Sequence, residues 1–497
     1  MLDLLGAGFI TIFTDPLVIA IMFFGVIAGI IVGALPGITG VMAIVLLLPL
    51  TYYLPAHAAL ILLSCIFCGG MFGGSISAIL INTPGSPSAA ATVMDGYPMC
   101  KQGKAGKAIG IVAVSSFTGG LFSTICLIFI APELAKIALH FQAADFFSLS
   151  IFGLSIIASA SGKNVLKGII AGFFGLMIST VGIDVLVGSS RYTFGSIYLM
   201  GGLQMLPVLI GVFAFAQVFS EVGTPPAEVQ ITQKITGVLP SRSDLKAIVL
   251  AVGVGCVIGM FIGIIPGTGG GLACWLAYNV MQKISKNRDK YGTGHLEGIA
   301  APETANSATT GGCMIPLLCL GVPGDSQTAV MLGGLILIGV RPGPLLFTES
   351  PQIVYALFAG WIVIQFLVLG FGFLSAKFSP HLLKVSPRII LPVVSVLCVI
   401  GAFSMSNSLF DVTVALSFGV IGVFMRKYGY PVAPLILGVI LGPMAEANLN
   451  RAMIVSTNNP MILVQRPFSL SFLILAAVSI AVPLINAHLS KRKEAAA

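Results

Sequence analysis

Residues 16–94 contain no Asp, Glu, Lys or Arg. A bilayer-spanning helix needs only about 20 apolar residues, so this one run has room for several. The pattern continues along the chain. Segments 108–132, 146–162, 168–183, 192–220, 247–282, 350–376, 389–410, 428–445 and 467–490 are also free of charge. Of the 497 residues, 8% are charged and 57% are hydrophobic, whereas soluble domains carry about 25% charge. The runs do not alternate polar and apolar residues as barrel strands do. The chain therefore reads as an all-α polytopic membrane protein with about 11–13 transmembrane helices plus re-entrant pieces.

Candidate spans lie near 16–35, 38–54, 57–82, 107–131, 145–161, 164–188 and 199–221. They resume near 247–265, 268–282, 302–322, 327–340, 351–376, 389–406, 409–425, 430–448 and 467–490. The net charge is +8, but the basic residues sit in short loops. Lys101, Lys104, Lys107, Lys163, Lys167, the basic residues from Lys234 to Lys246, Lys283 to Lys290 and Lys377 to Arg388, Arg426, Lys427 and the tail Lys491, Arg492 and Lys493 read as cytoplasmic. Arg191, Arg451 and Arg466 fall on the other side. That distribution records topology and gives no basic patch for nucleic acid. Cys65 and Cys68 form a CxxC without a second pair, and the five histidines are scattered, so no metal site is expected. The N-terminus lacks a basic region and a small-residue cleavage pattern, so it reads as retained.

The chain also repeats itself. GALPGITG (33–40) matches GIIPGTGG (263–270), an offset of 230 from Pro36 to Pro266. PGSPSAA (84–90) matches PGDSQTA (323–329), an offset of 239 from Pro84 to Pro323. The expected organisation is a first membrane repeat over 1–221, a polar linker over 222–246, and a second repeat over 247–497 that ends in a basic tail. The repeats are inverted if an odd number of crossings precedes the linker.

Each motif is a helix break. Proline removes a backbone donor and clashes with the preceding turn. Glycine permits the reversal that follows. Such backbone survives at membrane depth only when it is buried in protein or lines a cavity. A helix restarting there would present free N–H groups and the positive end of its dipole, which is an anion site made without arginine. The candidate substrate residues are Asn82, Thr83, Pro84, Gly85, Ser86 and Ser88 in the first copy. In the second they are Pro323, Gly324, Asp325, Ser326 and Gln327. The candidate ion-coupling residues are Gly37, Thr39, Gly267, Thr268, Asn306, Ser307 and Thr309. The bland alternative is that small residues merely allow close helix packing. Glu303 reads either as a helix-start residue at the interface or as an ion-coordinating residue. Asp95 reads as a proton or sodium site, or as a loop residue beside the basic 101–107 segment.

NTPGSPSAAATVMDGYPMCKQGKAGKA, GALPGITG with GIIPGTGGG, GIDVLVGSSRYTFG (182–195) and LGPMAEANLNRAM (441–453) carry a resemblance. With the PGD segment leading to GVRPGP (339–344), they resemble the large membrane subunit of the tripartite tricarboxylate transporters, the TctA family. The likeness covers nearly the whole chain. It implies a multi-pass permease of the bacterial inner membrane that works with a small four-helix membrane subunit and a periplasmic solute-binding protein. It also implies secondary uptake of citrate or another di- or tricarboxylate by symport, with Na⁺ or H⁺ as coupling ion and no other cofactor. The absence of a GxxxxGK[ST] loop agrees with a process not driven by ATP. No nucleophile–base set supports an enzyme. The alternatives are a stand-alone ion-coupled transporter, or a channel, for another small anion.

Overall fold

The computed structural model describes residues 1–35, 38–160, 165–184, 188–222, 235–383, 385, 387–404 and 406–496; of 157–160, 387–388, 484 and 486–496 it describes the backbone alone. The chain is helical nearly throughout. The first half contains α1 (Leu2–Thr14), α2 (Pro16–Ala34), α3 (Gly40–Thr51), α4 (Ala56–Ile81), α5 (Val93–Lys101), α6 (Ala105–Ala138), α7 (Ala143–Ala160), α8 (Val165–Ser179) and α9 (Met205–Glu221), the last with a π-type turn over 210–215. The second contains α10 (Arg242–Ile264), α11 (Gly269–Ile284), α12 (Leu296–Leu320), α13 (Ser326–Leu337), α14 (Pro351–Leu382), α15 (Pro387–Ser404), α16 (Leu409–Lys427), α17 (Val432–Val455) and α18 (Pro467–Ala496). Among the described residues the strand content is one two-residue pairing, Gly182–Ile183 against Ser190–Arg191.

Seven of these helices, α2, α4, α6, α10, α14, α16 and α17, are long and apolar enough to cross a membrane among the described residues. The shorter apolar helices include α3 and α13, each following a break. The local chemistry explains the boundaries. Asp15 accepts the Leu17 amide at 2.9 Å and Pro16 occupies the first position of α2, a favourable start for a helix. Helix α4 stops at Asn82 and α12 at Gly321, both left-handed, at φ 58° and 70°. A capping box of Ser241 and Asp244 opens α10.

The chain forms two compact units, and each draws one piece from each half of the sequence: Met1–Ala135 with Glu221–Cys398, and Lys136–Ser220 with Val399–Ala497. In the first unit, α4 and α12 are the buried centre. Every residue from Ala58 to Leu80 and from Gly298 to Cys319 is buried. A helix enclosed on all sides has no face to leave polar, so its hydroxyls must find partners inside. Thr309 and Thr310 accordingly donate to the Asn306 and Ser307 carbonyls at 2.6 and 2.7 Å.

Helix α2 packs on α4, and α10 packs on α12, through glycines that leave no space for a side chain. A Cβ on Gly33 would lie 2.9 Å from Gly70 Cα, and one on Gly69 would lie 2.7 Å from the Val26 carbonyl oxygen. A Cβ on Gly263 would lie 2.9 Å from both the Thr309 carbonyl oxygen and Gly312 Cα. The 230-residue offset takes Gly33 to Gly263, and the 239-residue offset takes Gly70 to Thr309. The same close approach thus occurs at corresponding positions of the two helix pairs.

In the second unit, α17 packs on α7 and α8, and α18 packs on α7. Arg466 donates to the buried Asp145 carboxylate at 2.9 and 2.7 Å. Ser148 and Ser469 share a hydrogen bond of 2.7 Å. Arg191 bridges Glu446 and Asp184.

Gly33→Ala and Gly263→Ala should each destabilise the purified protein by about 1–3 kcal/mol, the usual cost of overpacking. Gly253→Ala, where a Cβ meets nothing within 4 Å, should leave the thermal midpoint unchanged or slightly raised. Equal behaviour of all three variants in a detergent melting series would refute the close-packing account.

Candidate functional site

The breaks of the two halves meet within the first unit. After α4 ends, the chain turns through the exposed Asn82, Thr83 and Pro84 and re-enters the buried interior at Gly85. The Gly85 amide donates to the Gly74 carbonyl at 3.1 Å, and a Cβ there would lie 2.8 Å from Gly74 Cα. The corresponding Gly324 lies against Cys313, its Cβ position 2.7 Å from Cys313 Cβ. The Gly324 carbonyl accepts the Gly267 amide at 2.7 Å, joining the two breaks of the second half directly. Gly267 and Gly269 take φ values of 82° and 58°, which favour glycine.

Beyond Gly85, the buried Ser86 and Ser88 hydroxyls share a hydrogen bond of 2.8 Å. Met71, in the middle of α4, gathers three further groups. Its Sδ accepts from Ser88 Oγ and from Gln327 Nε2, both at 3.4 Å, and its carbonyl accepts from Asn306 Nδ2 at 3.4 Å. The two amides are therefore oriented by one residue, and their oxygens face elsewhere. Asn306 Oδ1 and Gln327 Oε1 are buried and accept no hydrogen bond among the described residues. A Cβ on Gly40, the first residue of α3, would lie 2.6 Å from Gln327 Oε1. A Cβ on Gly270, in the first turn of α11, would lie 2.7 Å from Asn306 Oδ1, 2.8 Å from Ser88 Cβ and 3.3 Å from Thr309 Oγ1. The site thus offers two unpartnered acceptors beside two helix starts whose first amides lack intrahelical partners.

The remaining candidates have more local duties. Thr39 caps α3 by accepting the Met42 amide at 3.3 Å. Thr268 donates to the Ile262 and Ile265 carbonyls at 2.6 and 2.8 Å, closing the end of α10. Asp325 caps α13: its carboxylate accepts the Thr328 amide at 2.8 Å and the Thr328 hydroxyl at 2.7 Å. Pro323 is buried, Ser326 half-buried and Ser307 buried in α12. Gly37 lies outside the described residues. Arg341 is exposed. Asp95 is a loop anchor, because it accepts the Gly292, Gly294 and His295 amides at 2.8–2.9 Å and the Tyr278 hydroxyl at 3.0 Å. Glu303 lies in the interior of α12, well past its start at Leu296.

Met71, Gly40 and Gly270 belong to the site without having been singled out from the sequence. Gly40 and Gly270 were within reach, since each occupies the same place in a matched motif. Met71 carried no such signal, being one apolar residue among many in α4.

The family model described as "Tripartite tricarboxylate transporter TctA family" matches residues 19–437. An uncharacterized 52.8 kDa protein in the TAR-I ttuC' 3' region of Agrobacterium vitis is 35% identical over 495 residues, covering 99% of this chain and 98% of its own. An uncharacterized protein in the TAR-II ttuC' 3' region of the same organism is 34% identical over 236 residues, covering 48% of this chain and 98% of its own. No solved structure matches.

Asp325→Ala should lower stability by about 1 kcal/mol through loss of the cap, whereas Asp325→Asn, which caps a helix equally well, should stay close to the original chain. Chemical denaturation of the two variants in the same detergent separates these outcomes; equal losses would show that the carboxylate charge, and not the cap, is what α13 requires.

Proposed function

The chain belongs to the tripartite tricarboxylate transporter TctA family, and from that premise we propose that it carries a small di- or tricarboxylate, such as citrate, across the bacterial inner membrane at the paired Pro-Gly breaks. The observation that supports this reading most is the meeting of Ser86, Ser88, Asn306 and Gln327 from both halves beside the starts of α3 and α11. The free amides of those first turns suit the carboxylate groups. The two unpartnered carbonyl oxygens suit a hydroxyl or protonated carboxyl on the same substrate. Neither kind of contact is strong alone, which fits a carrier that must also release its load.

In this reading the two helix–break–helix series, α2 to α5 and α10 to α13, are copies of one unit with the site between them. The chain works with a small four-helix membrane subunit and a periplasmic solute-binding protein that delivers the substrate. A Na⁺ or H⁺ gradient drives uptake.

The test is uptake of radiolabelled citrate, then of a panel of other di- and tricarboxylates, by vesicles holding all three components under imposed ion gradients. Ser88→Ala and Gln327→Leu should each raise the half-saturating concentration about 3–10-fold, the scale of one lost neutral hydrogen bond. Gradient-driven uptake indifferent to both substitutions would move the site elsewhere. Failure of every carboxylate under every gradient would overturn the transport reading itself.

A further inference from the structure

Glu303 is fully buried in the first unit, and none of the site's hydrogen bonds described above uses it. Its carboxylate accepts hydroxyls from three other segments: Ser75 of α4 and Thr92, just before α5, on Oε2, and Ser116 of α6 on Oε1. The Thr92 and Ser116 contacts measure 3.4 and 2.9 Å. Among the described residues it makes no ion pair with Lys, Arg or His. The titratable groups that neighbouring elements bring near are few. Cys274 of α11 donates to the Gly271 carbonyl, Tyr278 of α11 donates to Asp95, and Asp95 of α5 holds the 292–295 loop. None of them compensates a charge on Glu303.

We propose that Glu303 is the proton-binding site through which this chain couples carboxylate movement to a proton gradient. The proposal rests on the transport reading above and assigns its coupling ion. Charge without a counter-ion is expensive in such surroundings, so loading and unloading one proton changes the energy of the whole neighbourhood. The cage is suited to that exchange because hydroxyls donate and accept with equal ease. When the carboxylate is ionised, all three hydroxyls donate to it, as they do here. When it carries a proton, one hydroxyl becomes an acceptor and its own hydrogen turns elsewhere.

For Ser75 that elsewhere is defined. A serine in a helix bonds readily to the carbonyl four residues before it, and for Ser75 this is Met71. The Met71 carbonyl is the group that holds the Asn306 amide. Asn306 follows Glu303 by three residues, so both side chains lie on one face of α12. Protonation of Glu303 thus sets Ser75 in competition with Asn306 for one carbonyl, and Asn306 carries an unpartnered acceptor of the site. Proton and substrate are linked through four residues without a charged group between them.

The test uses proteoliposomes holding the membrane complex together with its binding protein. Three quantities are read for the wild type and for Glu303→Gln: accumulation driven by an imposed pH gradient, carboxylate exchange at equal pH, and proton movement on addition of substrate. The wild type should move protons with the carboxylate. Glu303→Gln should lose at least about tenfold in gradient-driven accumulation, within the usual range of coupling between linked sites, and should keep exchange. Retained pH-driven accumulation in the variant would overturn the proposal. So would loss of exchange along with accumulation, which marks a structural role. A wild type that accumulates substrate on a Na⁺ gradient at clamped pH, with no proton movement, would overturn it without reference to any variant. A wild type that neither accumulates nor exchanges any carboxylate tells against the transport reading instead.

Discussion

An interrupted helix leaves amides and carbonyls that must find partners once they are buried, and the first unit is organised around meeting that demand. The answer is enclosure by protein. The Gly85 amide reaches the Gly74 carbonyl, and the Gly324 carbonyl receives the Gly267 amide. Those bonds require backbones to approach more closely than side chains permit. Glycines therefore occupy the contact points on both sides, and α4 and α12 are buried over nearly their whole length. Close packing and the polar site are consequences of the same necessity. Close packing by small residues is realised here, and polar groups gather at adjacent positions.

Much of this was legible because the constraint acts locally. Charge-free runs mark where helices lie, and Pro-Gly pairs mark where they stop. The sixteen spans read from sequence each overlap a helix among the described residues, including the short α3 and α13 and the irregular α9. The starts after Asp15 and Asp325 came within a residue, where a capping side chain follows or precedes a recognisable break. The ends of 107–131, 164–188 and 430–448 did not, because α6 and α17 run on to Ala138 and Val455 and α8 stops at Ser179. Asp325 also shows the limit of local reading. A lone acid after a break suggests substrate or ion, yet an aspartate three residues before a threonine is equally a cap, and that is what its carboxylate does.

What stayed hidden was pairing over long separations. Met71 with Gln327, and Ser75 with Glu303, lie more than two hundred residues apart, and no local periodicity reports such partners. From sequence, Glu303 in the polar stretch ETANSATTGG (303–312) reads either as a helix-start residue at the interface or as an ion-coordinating one. The helix starts earlier, at Leu296, and the stretch is its interior. Enclosure by α4, α6 and α10 permits so many polar residues there, and enclosure is a property of the folded chain.

The two compact units are interleaved along the sequence, and this has a consequence for biosynthesis. A chain is made and inserted from its N-terminus onward, and domains built from contiguous sequence complete themselves in turn. Here neither unit can. When residues 136–220 have entered the membrane, the first unit still lacks 221–398 and the second still lacks 399–497. The breaks of the first half, with the groups that α11, α12 and α13 later cover, must wait in the bilayer for partners not yet translated. Insertion of this protein is therefore a problem of holding an incomplete intermediate, and the burden falls on the same Pro-Gly segments whose backbone groups the finished molecule encloses.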